Sequence, residues 1–273
     1  MVVGVVAQQG NERARALADE IATVLPADGI SVWVDAVTAA DLDREGTHIA
    51  DMDGADLVAS IGGDGTFLFT ARWLSDTPIV GVNLGEVGFL NGVSPTDTTT
   101  VLESLYEDLK TGELQTKALP RVEVSDADWK LGPALNEITV HAPHRGPSGD
   151  FSHSIAVDGD HFTSDRADGV IIATPTGSTA YNLSEGGPLL TPDVPGLIIT
   201  EMCGRDPMPP LVVPLDSTVT VELSGVQQGV VIADGRTRKE VSVPTTVTIQ
   251  RADAPLHVAG PQVAFLQTLE KLD

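Results

Sequence analysis

Over the first hundred residues, short apolar runs alternate with stretches of helical spacing. Residues 2–7 (VVGVVA) make an unbroken apolar run of strand length, closed by Gln8-Gln9-Gly10. A helix is predicted from about Glu12 to Leu25, and a second strand over residues 30–34 (ISVWV). Two more strands are predicted at 57–61 and 78–82, with a helical interval near 67–74 between them. Strands alternating with helices predict a parallel sheet, whose ligands sit beyond the carboxyl ends of its strands. Asp64 and Asn83 both follow such ends. A further helix over 98–111 closes this half of the chain.

The pattern changes after Leu114. Short alternating runs follow at 121–124, 137–141, 154–157, 170–174, 197–200, 218–223, 230–233 and 246–250, punctuated by Gly, Pro and Asp. That spacing predicts a β-rich domain of sandwich type. Residues 262–272 return to helical spacing and are expected to pack back on the first half. The expected fold is therefore α/β plus β. A Rossmann-like parallel α/β domain (residues 1–97 plus 254–273) precedes a C-terminal β-rich sandwich-type domain (98–253). No internal repeat or low-complexity tract interrupts it.

Composition agrees with a globular chain. The 273 residues are 41% hydrophobic, and 27 Gly and 18 Pro supply the turns. Charge changes the picture more: 39 acidic against 16 basic residues leave a net charge of −23. That field disfavours nucleic acid and anionic membranes as partners, and any phosphate site needs local Arg, backbone amides or metal. It fits a halophilic protein, since the Debye length falls to about 3 Å at 1 M salt and self-repulsion is screened. The single cysteine, Cys203, excludes an intramolecular disulfide. The absence of a signal peptide and of any run of membrane-spanning length leads us to expect a cytoplasmic protein.

The chemistry concentrates in two places. In residues 57–69 (LVASIGGDGTFLF), a strand stops at Gly62-Gly63-Asp64-Gly65-Thr66 and an apolar run resumes at Phe67. Glycines allow a sharp turn and close approach to a ligand. A helix starting near Thr66 would present free N–H groups and a positive dipole end to phosphate. A carboxylate beside such a site must bind a cation or take a proton from a nucleophile, which points to phosphoryl transfer; taken alone, Asp-Gly is also ordinary turn chemistry. The phosphate loop GxxxxGK[ST] and a clean GxGxxG are both missing. The second place is 168–188 (DGVIIATPTGSTAYNLSEGGP), a strand running into a hydroxyl-rich turn. Its density of Ser and Thr exceeds what one helix cap requires. The histidines at 141, 144 and 153 lack metal-ligand spacing, and no metal ligand is assigned.

Four motifs in order, GGDGT at 62–66, Asn83-x-Gly85-x-x-Gly88-Phe89-Leu90, Asn136-Glu137 and the 168–188 block, together resemble the NAD kinase family, and Asp234-Gly235-Arg236 resembles its late DG element. The resemblance covers most of the chain. It implies transfer of the terminal phosphate of ATP, another triphosphate or polyphosphate to the adenosine-ribose 2′-hydroxyl of NAD, with Mg²⁺ or another divalent cation. It makes Asp64 the general base. It implies nucleotide contacts from Gly63, Gly65, Thr66, Asn83, Asn136, Glu137, Arg166, Asp168, Thr176, Thr179, Ala180, Tyr181, Ser184, Asp234 and Arg236, and a dinucleotide site in the β-rich domain. Small-molecule nucleotides are the expected partners, and a homo-oligomer (dimer or tetramer) the expected assembly. Val87 stands where the family commonly has Leu, and residues 201–214 lack a His that many members carry there.

The chemistry supports those roles independently. A ribose hydroxyl is a poor nucleophile that a carboxylate can activate. An Asn-Glu pair can donate and accept hydrogen bonds without adding positive charge. Tyr181 suits either a base stack or the core. Arg166 and Arg236 are rare cations in an acidic chain, although both could be ion-pair partners. Two other readings remain open at this point: a lipid kinase of diacylglycerol or sphingosine type, which shares GGDG, and a catalytically silent NAD(P)-binding sensor. The charge density yields the first prediction. Thermal melts followed by circular dichroism should show a markedly higher midpoint at about 3 M KCl than at about 0.1 M, with partial unfolding in dilute buffer; equal midpoints would contradict it.

Overall fold

The structure, a computed structural model, describes residues 2–85, 88–143 and 151–270. Val87, His144 and the last residues of the expected C-terminal helix lie outside the described residues. The chain forms two compact units, one running to Leu119 and resuming at Pro255, the other Pro120–Ala254.

The first unit begins with β1 (Val2–Ala7), α1 (Glu12–Val24), β2 (Ser31–Val34) and the short α2 (Ala36–Ala40). It continues with β3 (Leu57–Gly62), α3 (Asp64–Ala71), β4 (Ile79–Asn83), α4 (Thr98–Thr111) and β5 (Thr116–Leu119). After the second unit, whose strands β6 to β17 follow below, the chain returns as β18 (Leu256–Ala259) and α6 (Phe265–Leu269). The sheet order is β2-β1-β3-β4-β18-β5, parallel except for β5 against β18. β3 is buried along its whole length, as expected of a central parallel strand. Asn11 caps α1 by accepting the N–H groups of Arg13 and Ala14. Leu17 and Ile21 of α1 and Leu102 and Leu105 of α4 share a core with Val5, Ala59, Ile61 and Val82. The C-terminal helix packs back on this unit, with the Phe265 ring 5.6 Å from that of Phe89.

The structural division differs from the expected boundary at 97/98. Helix α4 contributes to the first core and β5 pairs with β18, Leu119 opposite Leu256, so both belong with the α/β unit.

The second unit is a sandwich of antiparallel strands. One sheet has the order β10-β9-β14-β17-β6-β7, from β6 (Val122–Ser125), β7 (Lys130–Ala134), β9 (Phe151–Val157), β10 (Asp160–Ala167), β14 (Val219–Ser224) and β17 (Thr245–Arg251). The other has the order β13-β12-β11-β8-β15-β16, from β8 (Glu137–His141), β11 (Gly169–Ala173), β12 (Gly196–Met202), β13 (Leu211–Pro214), β15 (Gln228–Ala233) and β16 (Thr237–Ser242). Val124, Ile155, Val221 and Ile249 from the first sheet meet Ile138, Val140, Ile172 and Val231 from the second in one core. The second sheet is covered on its other face too, where Ile171, Ala173, Ile198 and Met202 pack with Leu190 and Tyr181. Burial on both faces explains why residues 170–173 are continuously apolar. The hydrophobic pattern did not announce β7, β10 or β16. These strands carry Lys130, Asp160, Arg166, Arg238 and Lys239 in exposed or half-buried positions at sheet edges, so pairing with a neighbour sets them rather than an apolar period.

Candidate active site

In the first unit the glycine-rich turn sits at the carboxyl end of β3. A Cβ on Gly62 would lie 2.5 Å from Oγ1 of Thr66, so the turn closes only with glycine there. Gly63 is the N-cap and Asp64 the first helical residue of α3, two positions before the start expected near Thr66. The N–H groups of Asp64 and Gly65 have no intrahelical acceptor, and Gly63 and Gly65 are exposed. The half-buried Asp64 carboxylate turns toward residues 88–91. It accepts the N–H of Phe89 (2.9 Å), the N–H of Leu90 (3.3 Å) and Nδ2 of Asn91 (2.8 Å). A Cβ on Gly88 would strike that carboxylate, which is why this position holds glycine. Asn91 is 2% exposed and wedged against β4, where a Cβ on Gly81 would lie 2.5 Å from its Oδ1. Asn83 ends β4 and accepts the Gly85 N–H at 3.0 Å, shaping the connection into this segment. An ionised carboxylate has about four acceptor positions, so Asp64 is fixed by three donors and keeps capacity for a hydroxyl.

Sequence reasoning missed Asn91, whose only signal is its place directly after the Gly88-Phe89-Leu90 run. It also missed a cavity of 190 Å³ lined by Gln8, Asn11, Arg15, Thr38 and Asp41 among others. This cavity opens at the carboxyl end of β1, next to β3, where ligands of open parallel sheets gather.

In the second unit, the Asp234 carboxylate organises the Asn136-Glu137 turn. Its Oδ2 accepts the Leu135 N–H (2.8 Å), and its Oδ1 accepts those of Asn136 (2.7 Å) and Glu137 (3.2 Å). Asp234 and Gly235 have φ of +47° and +64°, a turn that Asp and Gly tolerate better than other residues. From the other side, the Thr174 N–H donates to the Asn136 carbonyl (2.8 Å) and its hydroxyl to the Leu135 carbonyl (2.6 Å). A Cβ on Gly177 would run into the Asn136 backbone. Asn136, Glu137 and Thr176 are buried, and Oε2 of Glu137 and Oγ1 of Thr176 have no hydrogen-bond partner among the described residues. Burial pushes the Glu137 carboxyl up to about 8, with the Asp234 charge adding to the rise.

The remaining predicted positions are spread along the unit. Thr179, Ala180 and Tyr181 are half-buried just beyond the 174–177 turn, and Ser184 is exposed. This segment hangs on fully buried Asn182. Its Nδ2 donates to the carbonyls of Ser178 and Pro188, and its Oδ1 accepts from Thr200. Arg236 is exposed on the β15–β16 turn. Arg166 and Asp168 are not gathered with Asn136-Glu137. β11 separates them, since Glu137 faces Ala173 at one end and Asp168 precedes Gly169 at the other, about 17 Å away at about 3.3 Å per residue. Arg166 lines a groove with Arg205, Asp165 and His153. His153 pairs with Glu201 at 2.6 Å, both side chains buried, and Glu201 also accepts the Met208 N–H at 2.9 Å. That contact anchors the segment that departs from the family pattern.

A GGDG carboxylate at a helix start on a parallel sheet, followed by a β-sandwich with a buried Asn-Glu turn, defines a two-domain nucleotide kinase. Residues 3–109 match the ATP-NAD kinase N-terminal domain, and residues 135–260 the ATP-NAD kinase C-terminal domain. The chain is 48% identical to the NAD kinase of Haloarcula marismortui and 47% identical to that of Halorubrum lacusprofundi, each covering all of both chains. A crystal structure of an NAD kinase from Archaeoglobus fulgidus in complex with ATP superimposes with a TM-score of 0.80 at 27% identity, over 100% of this chain and 98% of that one. The chain belongs to the NAD kinase family.

Two outcomes follow from this geometry. Gly88→Ala must displace the Asp64 carboxylate, and kcat should fall about 10²-fold while the fold survives, as steady-state kinetics and melting would show. Glu137 has a folded-state pKa above its unfolded value of 4.5, so its contribution to stability is complete at low pH and is lost as pH rises through about 8. The ligand-free Glu137→Gln variant should therefore gain melting temperature over the parent between about pH 5 and pH 8.5; a constant difference would refute the buried neutral acid.

Proposed function

We propose that the chain transfers the terminal phosphoryl group of ATP, another nucleoside triphosphate or polyphosphate to the adenosine-ribose 2′-hydroxyl of NAD, giving NADP, with Asp64 as general base. The observation that carries this is the Asp64 carboxylate, held by residues 89–91 at the start of α3. Asp64 accepts the proton of the 2′-hydroxyl as its oxygen attacks the terminal phosphorus, and the shortened phosphate chain leaves with the bond's electron pair. The unpaired N–H groups at the start of α3, with Gly63, Gly65 and Thr66, receive donor phosphate. Asn83 shapes the neighbouring loop.

Among the described residues no group of three or more His, Cys, Asp or Glu forms a cation cage. A divalent ion such as Mg²⁺ would draw its ligands mainly from donor phosphate oxygens and waters, since the remaining acceptor position of Asp64 is taken by the hydroxyl. Such an ion supplies charge neutralisation at the transferring group.

Asn136, Glu137, Thr176, Thr179, Ala180, Tyr181 and Ser184 bind the dinucleotide in this reading, and Asp234 holds their turn through its three amides. Arg236 offers a cation beside that turn. Arg166 and Asp168, at the far end of β11, serve a dinucleotide held by a second copy of the chain, which makes the working form a homo-oligomer. Among the described residues no helix is long and apolar enough to cross a membrane, and we read the enzyme as cytoplasmic and adapted to salt. Membership of the NAD kinase family sets the lipid-kinase reading aside.

Donors assayed against NAD in molar KCl should yield NADP. Asp64→Asn should lower kcat by about 10²- to 10⁴-fold with NAD affinity nearly unchanged, and full turnover in that variant would remove the base from the mechanism.

A further inference from the structure

Two adjacent carboxyl groups in the second unit share their hydrogen-bond donors unequally. Asp234 collects three backbone N–H groups, from Leu135, Asn136 and Glu137. The Glu137 side chain is 5% exposed, receives no hydrogen bond from a described residue, and keeps Oε2 buried and unpartnered. Donors favour the ionised form and burial without donors disfavours it. Between the two neighbours, the charge settles on Asp234 and the proton on Glu137. Asp234, on the β15–β16 turn, is the charged group that acts on Glu137. The paired residue on β11, Ala173, is uncharged, and the adjoining turn brings the hydroxyls of Thr174 and Thr176.

We propose that Glu137 meets the dinucleotide as a neutral carboxylic acid, donating a hydrogen bond to a proton-free acceptor on the ligand, such as a ring nitrogen or a sugar oxygen. This rests on the reading that the Asn136-Glu137 turn lines the dinucleotide site. A neutral acid there spares the anionic pyrophosphate one more repulsion in a chain that already carries −23. It also rewards ligands that present an acceptor, because a buried donor left unmatched is costly. Once ionised, Glu137 loses that donor and adds a repelling charge.

The test is NAD binding to the full chain in molar KCl without a phosphate donor, by calorimetry from about pH 6 to about pH 9.5. Affinity should stay level to about pH 8 and then weaken about tenfold per pH unit, the signature of one required proton. Glu137→Gln, whose amide still donates, should bind NAD with no fall above pH 8. Infrared spectra of the ligand-free parent should show a carboxylic-acid C=O band at pH 7 that is about halved near pH 8 and gone by about pH 9.5, and this readout stands even if the variant does not fold. Level NAD affinity across the whole range, or no acid band at pH 7, overturns the proposal while leaving NAD phosphorylation intact. Absence of NAD binding at every pH would overturn the underlying reading of the turn.

Discussion

Backbone amides in tight, buried turns need acceptors, and at both candidate-site turns of this chain a carboxylate provides them. Asp234 holds the amides of residues 135–137 from a turn about a hundred residues further along. Asp64 holds those of residues 89 and 90 together with the Asn91 side chain. Each acid joins segments that the sheets alone would not bring into register. The surrounding glycines follow from this: Gly88 makes room for the Asp64 carboxylate, and Gly177 for the backbone of Asn136. The two acids differ in what remains for a ligand. Asp64 stays half-exposed, whereas the Asp234 carboxylate is taken up by three backbone amides.

The acidic surface and the buried acids obey different rules. The mutual repulsion of exposed carboxylates among the 39 acidic residues is screened when salt is high. Buried groups escape that screening. Glu137 responds by retaining a proton, and Asp234 by gathering amides. Glu201 pairs with His153 across the sandwich and takes an N–H from the 203–210 segment. A buried glutamate, itself hydrogen-bonded to His153, holds this segment through a backbone N–H.

Much of the architecture was legible from pattern. Buried parallel strands betray themselves as unbroken apolar runs, so β1, β3, β4 and β11 were found close to their true limits. Helix α4 was legible too, as closing the first half, but the boundary was set ahead of it, because an amphipathic face does not by itself mark where a domain ends. Edge and hairpin strands such as β7, β10 and β16 were invisible, since pairing with a neighbour imposes their extended form on polar sequence.

The sequence by itself determined the family and the two kinds of domain, because glycine, aspartate and the Asn-Glu pair sit at spacings that few other demands would impose. Tertiary structure alone decided what each group does there. Asn91 and Asn182 became supports through contacts with distant chain, and Asp234 a clamp on the amides of residues 135–137. Glu137 became a neutral acid because of what surrounds it, and Arg166 was set a whole strand away from Asn136. Hydrogen-bond partners, burial and the neighbouring charge govern those outcomes, and all three are properties of the folded surroundings that residue identity does not carry.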